Sequence, residues 1–202
     1  MINADEALMR LIEGNRRFRS GEGYHIDIAG LLRSQLSKEQ DPFAIVLGCS
    51  DSRVPAEIIF GQGVGDLFVI RVAGNIVAPS QVGSIEFAAE NFGTRLVVVL
   101  GHSQCGAIAA TLEQLRQPSA SRCPNLHAVV DRIRPAVEPL LGSSEAETAE
   151  DLLDQAVRAN IDTSVDNLRH GSALLESLIE DDGLVIVGAE YCLETGVVDF
   201  IE

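Results

Sequence analysis

The chain has 202 residues, 46% of them hydrophobic, which suits one domain with a substantial core and requires no second one. A formal net charge of −15, with no Lys/Arg cluster to offset it, argues against binding to nucleic acid or anionic lipid. The start, Met1-Ile2-Asn3-Ala4-Asp5-Glu6, has neither the basic residues nor the apolar stretch of a signal peptide, and no apolar run reaches membrane-spanning length, so a soluble, cytoplasmic protein is expected.

Residues 4–19 carry Leu8, Leu11, Ile12 and Phe18 at near-helical spacing, with Asn3 and Glu6 placed as a capping box and Gly21 beyond the end. This predicts an amphipathic helix. Apolar runs without alternation at 43–47, 67–72, 96–100 and 184–187 predict strands buried on both faces. Helical patterns at 80–91 and 106–116 separate successive strands, so the sheet should be mostly parallel. The stretch 124–180 reads as mostly helical, interrupted by Pro135, Pro139 and the polar, acidic segment 142–150. A short strand at 197–201, after the Glu194-Thr195-Gly196 turn, is expected to pair antiparallel at an edge. The predicted fold class is therefore α/β, a mostly parallel central sheet flanked by helices. It would form one domain over 1–202, made of an N-terminal helix (1–20), a core (43–117), a helical region (124–180) and C-terminal strands (184–202).

Four cysteines are too few for a disulfide scaffold, and in a reducing compartment clustered thiols more often serve metal binding or catalysis. In an open parallel sheet, ligands sit beyond the carboxyl ends of strands. Two such ends hold unusual residues: Cys49-Ser50-Asp51-Ser52-Arg53 follows one apolar run, and Gly101-His102-Ser103-Gln104-Cys105 follows another. Either fragment alone is a weak signal, since free cysteine commonly packs in cores. Together they supply two thiolates and one imidazole, a set that suits Zn²⁺, and three protein ligands leave the open fourth position of a catalytic site. Cys123 and Cys192 lack such placement and read as ordinary small residues, while His25, His127 and His170 suit surface or capping roles. The glycine-rich Gly61-Gln62-Gly63-Val64-Gly65 precedes a strand rather than joining strand to helix, so it does not read as a phosphate cradle.

Asp51 and Arg53 admit two readings. As a surface ion pair they contribute about 0 to 1 kcal/mol. In a zinc site they answer a problem, because two thiolates and a neutral imidazole cancel the charge of the ion and leave bound water less acidified than in an all-histidine site. An ionised carboxylate only accepts hydrogen bonds, so Asp51 can hold the proton of such a water, and Arg53 would keep Asp51 ionised and oriented.

The two motifs, Cys49-Ser50-Asp51-Ser52-Arg53 and His102-Ser103-Gln104-Cys105-Gly106, with the 66–76 stretch between them, resemble those of the β-class carbonic anhydrases, and the resemblance runs from Leu11 to the C-terminus. It implies zinc ligation by Cys49, His102 and Cys105, with Asp51 and Arg53 as the family's Asp/Arg dyad. It implies a small apolar CO₂ pocket lined by Phe68, Ala73 and Phe87, and a Gln40 that hydrogen-bonds substrate across a dimer interface. The implied reaction is reversible hydration of carbon dioxide to bicarbonate and a proton, by attack of zinc-held hydroxide. The implied assembly is a homodimer, or a larger oligomer, in which the N-terminal helix wraps over the partner. Related sequences hydrolyse carbon disulfide or carbonyl sulfide with the same ligands, and a non-catalytic anhydrase-like domain of a larger assembly would keep the fold without turnover. Both alternatives stay open on sequence, although an intact Asp51 and Arg53 argue against the second. In one branch of the family the aspartate swings onto zinc at lower pH, and bicarbonate favours that closed form through a tryptophan, an arginine and a tyrosine. The matching positions here are Val46, Arg71 and Tyr191, and the chain has no tryptophan.

Overall fold

The computed structural model, which describes residues 2–21, 37, 39–117, 124–142 and 148–201, begins with α1 (Ala4–Ser20) where the capping box predicts it. The Asn3 side chain accepts the Glu6 amide while the Glu6 carboxylate accepts the Asn3 amide, and Gly21 closes the last turn at φ 69°. The helix packs on its own chain through Ala4, Ala7, Leu11 and Asn15, while Ile2, Met9 and Ile12 stay exposed. Buried Asn15 fixes its docking: the amide donates to the carbonyls of Ile59 and Gly196, and its oxygen accepts the Val198 amide.

Along the chain follow β1 (Ala44–Gly48), α2 (Ala56–Ile59), β2 (Leu67–Arg71), α3 (Pro79–Asn91), β3 (Leu96–His102) and α4 (Gly106–Arg116). Then come α5 (His127–Val137), α6 (Ala149–His170), α7 (Ala173–Asp181), β4 (Val185–Tyr191) and β5 (Val198–Ile201). The strands form one sheet in the order β2-β1-β3-β4-β5, parallel throughout except for β5, which pairs antiparallel with β4 at the edge.

The sheet separates two apolar cores, and this explains why its central strands show no polar alternation. Ile45, Leu47, Val97 and Val99 point into the core covered by α3 to α7, whereas Ala44, Val46, Leu96, Val98 and Leu100 point into the core that α1 and α2 cover. Every residue of β1 and β3 is buried, as strands with two covered faces require. At the edge, β2 is only partly buried.

Three boundaries differ from the sequence reading. Gly188 interrupts the apolar run after 187 but not the strand, because β4 continues to Tyr191 paired with both β3 and β5. The missing side chain at Gly188 makes room for α6, since a Cβ there would lie 2.7 Å from Ile161 Cγ2. Pro135 does not interrupt α5; it and Asp131, whose carbonyl loses its helical partner, both lie on the exposed face, where water can replace that bond. The long helical region also breaks at Gly171, where no interruption was expected, and Ser172 caps α7 by accepting the Leu175 amide. Pro139 falls in the 3₁₀ turn Glu138–Gly142, as an interruption there requires. Among the described residues, no helix is long and apolar enough to cross a membrane.

Candidate metal centre

Because β1 and β3 are parallel neighbours, Cys49, directly after β1, and His102, the last residue of β3, emerge at the same end of the sheet. Cys105 follows as the N-cap of α4. The two sulfurs and an imidazole nitrogen lie within 4.8 Å of one another, and all three side chains are buried.

Each donor is aimed by backbone. His102 Nδ1 lies 2.8 Å from the Ser103 carbonyl, which can only accept, so Nδ1 carries the proton and the Nε2 lone pair is left to a ligand. Nε2 is buried without a hydrogen-bond partner. An orphaned buried lone pair beside two thiols is the donor arrangement a soft cation satisfies. Ser103 is itself fixed from β4: its amide donates to the Tyr191 carbonyl at 3.0 Å and its hydroxyl accepts the Leu193 amide at 3.0 Å. On the other side, the Gly74 amide donates to Cys49 Sγ at 3.3 Å.

The two thiols share their protons unequally. The Cys49 thiol is drawn down to about 4, first by the hydrogen bond from Cys105 and then, against the cost of burial, by His102 and the backbone at Asp51 and Gly74. The Cys105 thiol is pushed up, first by that same sulfur beside it and then by burial, although the Ala107 and Ile108 amides at the start of α4 favour its thiolate. One thiolate is favoured and a second opposed, so a cation between the sulfurs is what allows both to ionise.

Asp51 and Arg53 form the two-pronged pair their spacing suggested: Arg53 Nε donates to Oδ1 at 2.9 Å and an Nη to Oδ2 at 2.8 Å. The Arg53 amide also donates to Oδ1. The guanidinium holds the Asp51 carboxyl well below the usual carboxylate range. Asp51 Oδ2 lies 3.9 Å from His102 Nε2, at the rim of the donor cluster. Arg71 braces this loop, giving hydrogen bonds to the carbonyls of Cys49 at 3.0 Å and Asp51 at 2.6 Å.

The other residues singled out in the sequence divide by position. Ala73 adjoins Gly74, beside the donors. Phe68 pairs with Ile45, four residues and roughly 13 Å of strand before Cys49, so the structure does not bring it to the cluster of its own chain. Phe68 packs instead with Phe87 and Phe92, ring centroids 6.3 and 6.1 Å away, and Phe87 is 50% exposed. Gln40 lines a cavity of about 750 Å³ with Val64, Leu67 and Phe92, near the opposite end of β2 from the thiols. Val46 and Tyr191 are buried in the same core. His127 begins α5 and pairs with Gln114, His170 is the exposed end of α6, and Cys192 is half-buried. His25 and Cys123 lie outside the described residues. Sequence reasoning missed Gly74 and Ser103, which contact Cys49 and His102, because each acts through its main chain and leaves no local pattern.

The carbonic anhydrase family profile matches residues 44–198. Carbonic anhydrase 2 of Mycobacterium tuberculosis is 37% identical over 194 residues, 96% of this chain and 91% of that protein. A carbonic anhydrase of Synechocystis is 34% identical over 95% of this chain and 70% of its own length. The solved structure of the β-carbonic anhydrase CcaA superposes with a TM-score of 0.75 at 34% identity, covering 96% of this chain and 95% of its own.

Proposed function

Since the chain belongs to the β class of the carbonic anhydrase family, we propose that it catalyses the reversible hydration of carbon dioxide to bicarbonate and a proton, with zinc held by Cys49, His102 and Cys105. The observation that carries this reading is the convergence of two buried sulfurs on an unpartnered His102 Nε2. Zinc at these three donors would supply the Lewis acidity that makes water a nucleophile at neutral pH.

The chain's own contribution is orientation. Asp51, ionised and gripped by Arg53, only accepts hydrogen bonds, so its Oδ2 takes the proton side of an incoming water and turns a lone pair towards the substrate. Arg71 keeps the Cys49–Asp51 carbonyls in place while this happens. Carbon dioxide has no charge to anchor and gains from a dry apolar wall. Ala73 offers part of that wall, and we assign the rest to a second copy. Phe68 stands too far along β2 to serve its own donors, Phe87 packs against it and Gln40 lines the neighbouring cavity, so this group is assigned to the donors of a partner. The half-exposed Phe87 and the outward Met9 and Ile12 of α1 are the apolar surface such a homodimer would cover. Unpaired thiols at a working site suit a soluble enzyme of the reducing cytoplasm.

The test is zinc analysis combined with a CO₂ hydration assay on wild type and Asp51→Asn. One zinc per chain, with hydration that Asp51→Asn largely removes, is the expected result. A zinc-free wild type, or a zinc-loaded one that does not hydrate CO₂, overturns the proposal, and hydration unaffected by Asp51→Asn overturns the role given to Asp51.

A further inference from the structure

The loop that leaves β2 turns through two left-handed residues. Gly74 at φ 68° and Asn75 at φ 43° are consecutive left-handed residues, and only the first is a glycine. Glycine and asparagine both tolerate this region, so several shapes are open to the pair and its surroundings select one. Here they do so through α6. Asn160 Nδ2 donates to the Gly74 carbonyl at 2.9 Å, and Ser164 Oγ donates to the Asn75 carbonyl at 3.2 Å. Both side chains are buried and four residues apart, so they rise from one helix face.

Between them, Ile161 fixes where that face stands. It fills the space left by Gly101 and Gly188: a Cβ on Gly101 would lie 2.5 Å from Ile161 Cδ1, and one on Gly188 2.7 Å from Cγ2. Gly101 immediately precedes His102. A single helix therefore sets the position of the strand that presents His102 and the conformation of the loop whose Gly74 amide points at Cys49 Sγ.

We propose that Asn160, with Ser164 as its second contact, is a positioning residue for the metal centre: it locks Gly74 so that the Gly74 N–H donates to the Cys49 sulfur. The inference rests on the reading that Cys49, His102 and Cys105 hold a metal. An N–H directed at a ligating thiolate draws electron density from sulfur, so the cation keeps more of its Lewis acidity, which two thiolates otherwise diminish. A helix that only satisfied two loop carbonyls would contribute stability and leave the sulfur's electronic state untouched.

That difference is measurable on the cobalt(II)-substituted protein through its sulfur-to-cobalt charge-transfer absorption, compared in wild type, Asn160→Ala, Ser164→Ala and Leu152→Ala. Leu152 is buried on α6 away from the loop and reports destabilisation of the helix alone. The expected result is a charge-transfer band moved to longer wavelength in Asn160→Ala and, by less, in Ser164→Ala. CO₂ hydration by the zinc form of Asn160→Ala should fall about tenfold. Leu152→Ala should lower the melting temperature and leave the band in place. Ser164→Ala, which favours the helix, decides the matter should Asn160→Ala not fold. An unchanged band in the loop-contacting variants that fold, or an equal shift in Leu152→Ala, overturns the clamp. A wild type without any sulfur-to-cobalt band overturns the metal reading, and the clamp with it.

Discussion

The buried donor cluster and the Asp51–Arg53 pair lie beside one another but are built differently. Cys49, His102 and Cys105 are sealed at strand and helix ends, and each is aimed by main chain: the Gly74 amide, the Ser103 carbonyl, the first turn of α4. The dyad sits in a loop, with Asp51 18% and Arg53 54% exposed at the side chain, and is aimed chiefly by mutual charge. Scaffold thus fixes the donors, whereas the dyad depends mainly on its own ion pair, with the Arg53 amide and the Arg71 brace in support. Changes to the first group should appear in metal content and stability, and changes to the second in turnover with the fold intact.

The largest expected effect tests the cluster. Cys49→Ser, His102→Ala and Cys105→Ser should each lose most of their zinc and essentially all CO₂ hydration, because a hydroxyl or a methyl cannot replace thiolate or imidazole at a soft tetrahedral site. Metal analysis of the purified variants measures it, and full zinc with near-normal turnover in any one would remove that residue from the donor set. Next comes the dyad. Arg53→Lys keeps the charge but loses the fork that contacts both Asp51 oxygens, so turnover should fall at least tenfold, about 1.4 kcal/mol of transition-state stabilisation. Zinc content should be unchanged. Loss of zinc in Arg53→Lys would erase the distinction between the two regions, and turnover within twofold of wild type across pH would remove the dyad's role.

A smaller effect sharpens the scaffold side. Gly101→Ala forces a methyl against Ile161 in a fully packed interior, an overpacking expected to cost about 1–3 kcal/mol. Thermal melts should show it, and Gly101→Ala combined with Ile161→Ala should cost less than the sum of the two single changes. Equal melting temperatures for Gly101→Ala and wild type would mean that α6 yields easily and does not set the height of β3.

What the sequence made legible follows the same division. Donors and dyad stand in two short motifs after apolar runs, so local pattern alone put Cys49, Asp51, Arg53, His102 and Cys105 at one end of a parallel sheet, and the capping box at Asn3 and Glu6 located α1. The supports were not legible. Asn160 and Gly74 are 86 residues apart, and nothing in a polar residue within a helical pattern says that it faces a loop carbonyl. The β4 boundary failed for a related reason: Gly188 looks like an interruption until the helix that occupies its empty side is known. Phe68 and Phe87 matched pocket positions of the family, yet strand register places Phe68, with Phe87 packed against it, away from the donors of their own chain, and register is a property of the folded sheet that local pattern does not contain.

The smallest expected effect is an absence of switching, and it follows from how the dyad is held. In one branch of the family the counterpart of Asp51 leaves its arginine for the metal, favoured by bicarbonate in a pocket that includes a tryptophan. Here Val46 occupies that position, fully buried, and offers neither an indole N–H nor a flat wall. Arg71, the second member, is engaged with the Cys49 and Asp51 carbonyls, and Tyr191 is packed in the core. A ligand shifts an equilibrium only by its differential affinity for the two states, so a pocket weakened by the loss of its tryptophan supplies less of that difference. Protonation does not supply it either. Arg53 depresses the folded carboxyl of Asp51, so the pair's stabilisation is present above the unfolded value of about 3.9 and is lost only as pH falls through the lower folded one. Between pH 5 and 8 Asp51 therefore stays ionised and paired with Arg53. Bicarbonate should inhibit along a simple hyperbola, and the midpoint should not move with pH in the manner of a protonation-coupled closure. Inhibition curves at pH 6 and pH 8 test this. A sigmoidal curve, or a structure near neutral pH with an Asp51 oxygen bonded to the metal, would show that this loop is held less firmly than its hydrogen bonds indicate.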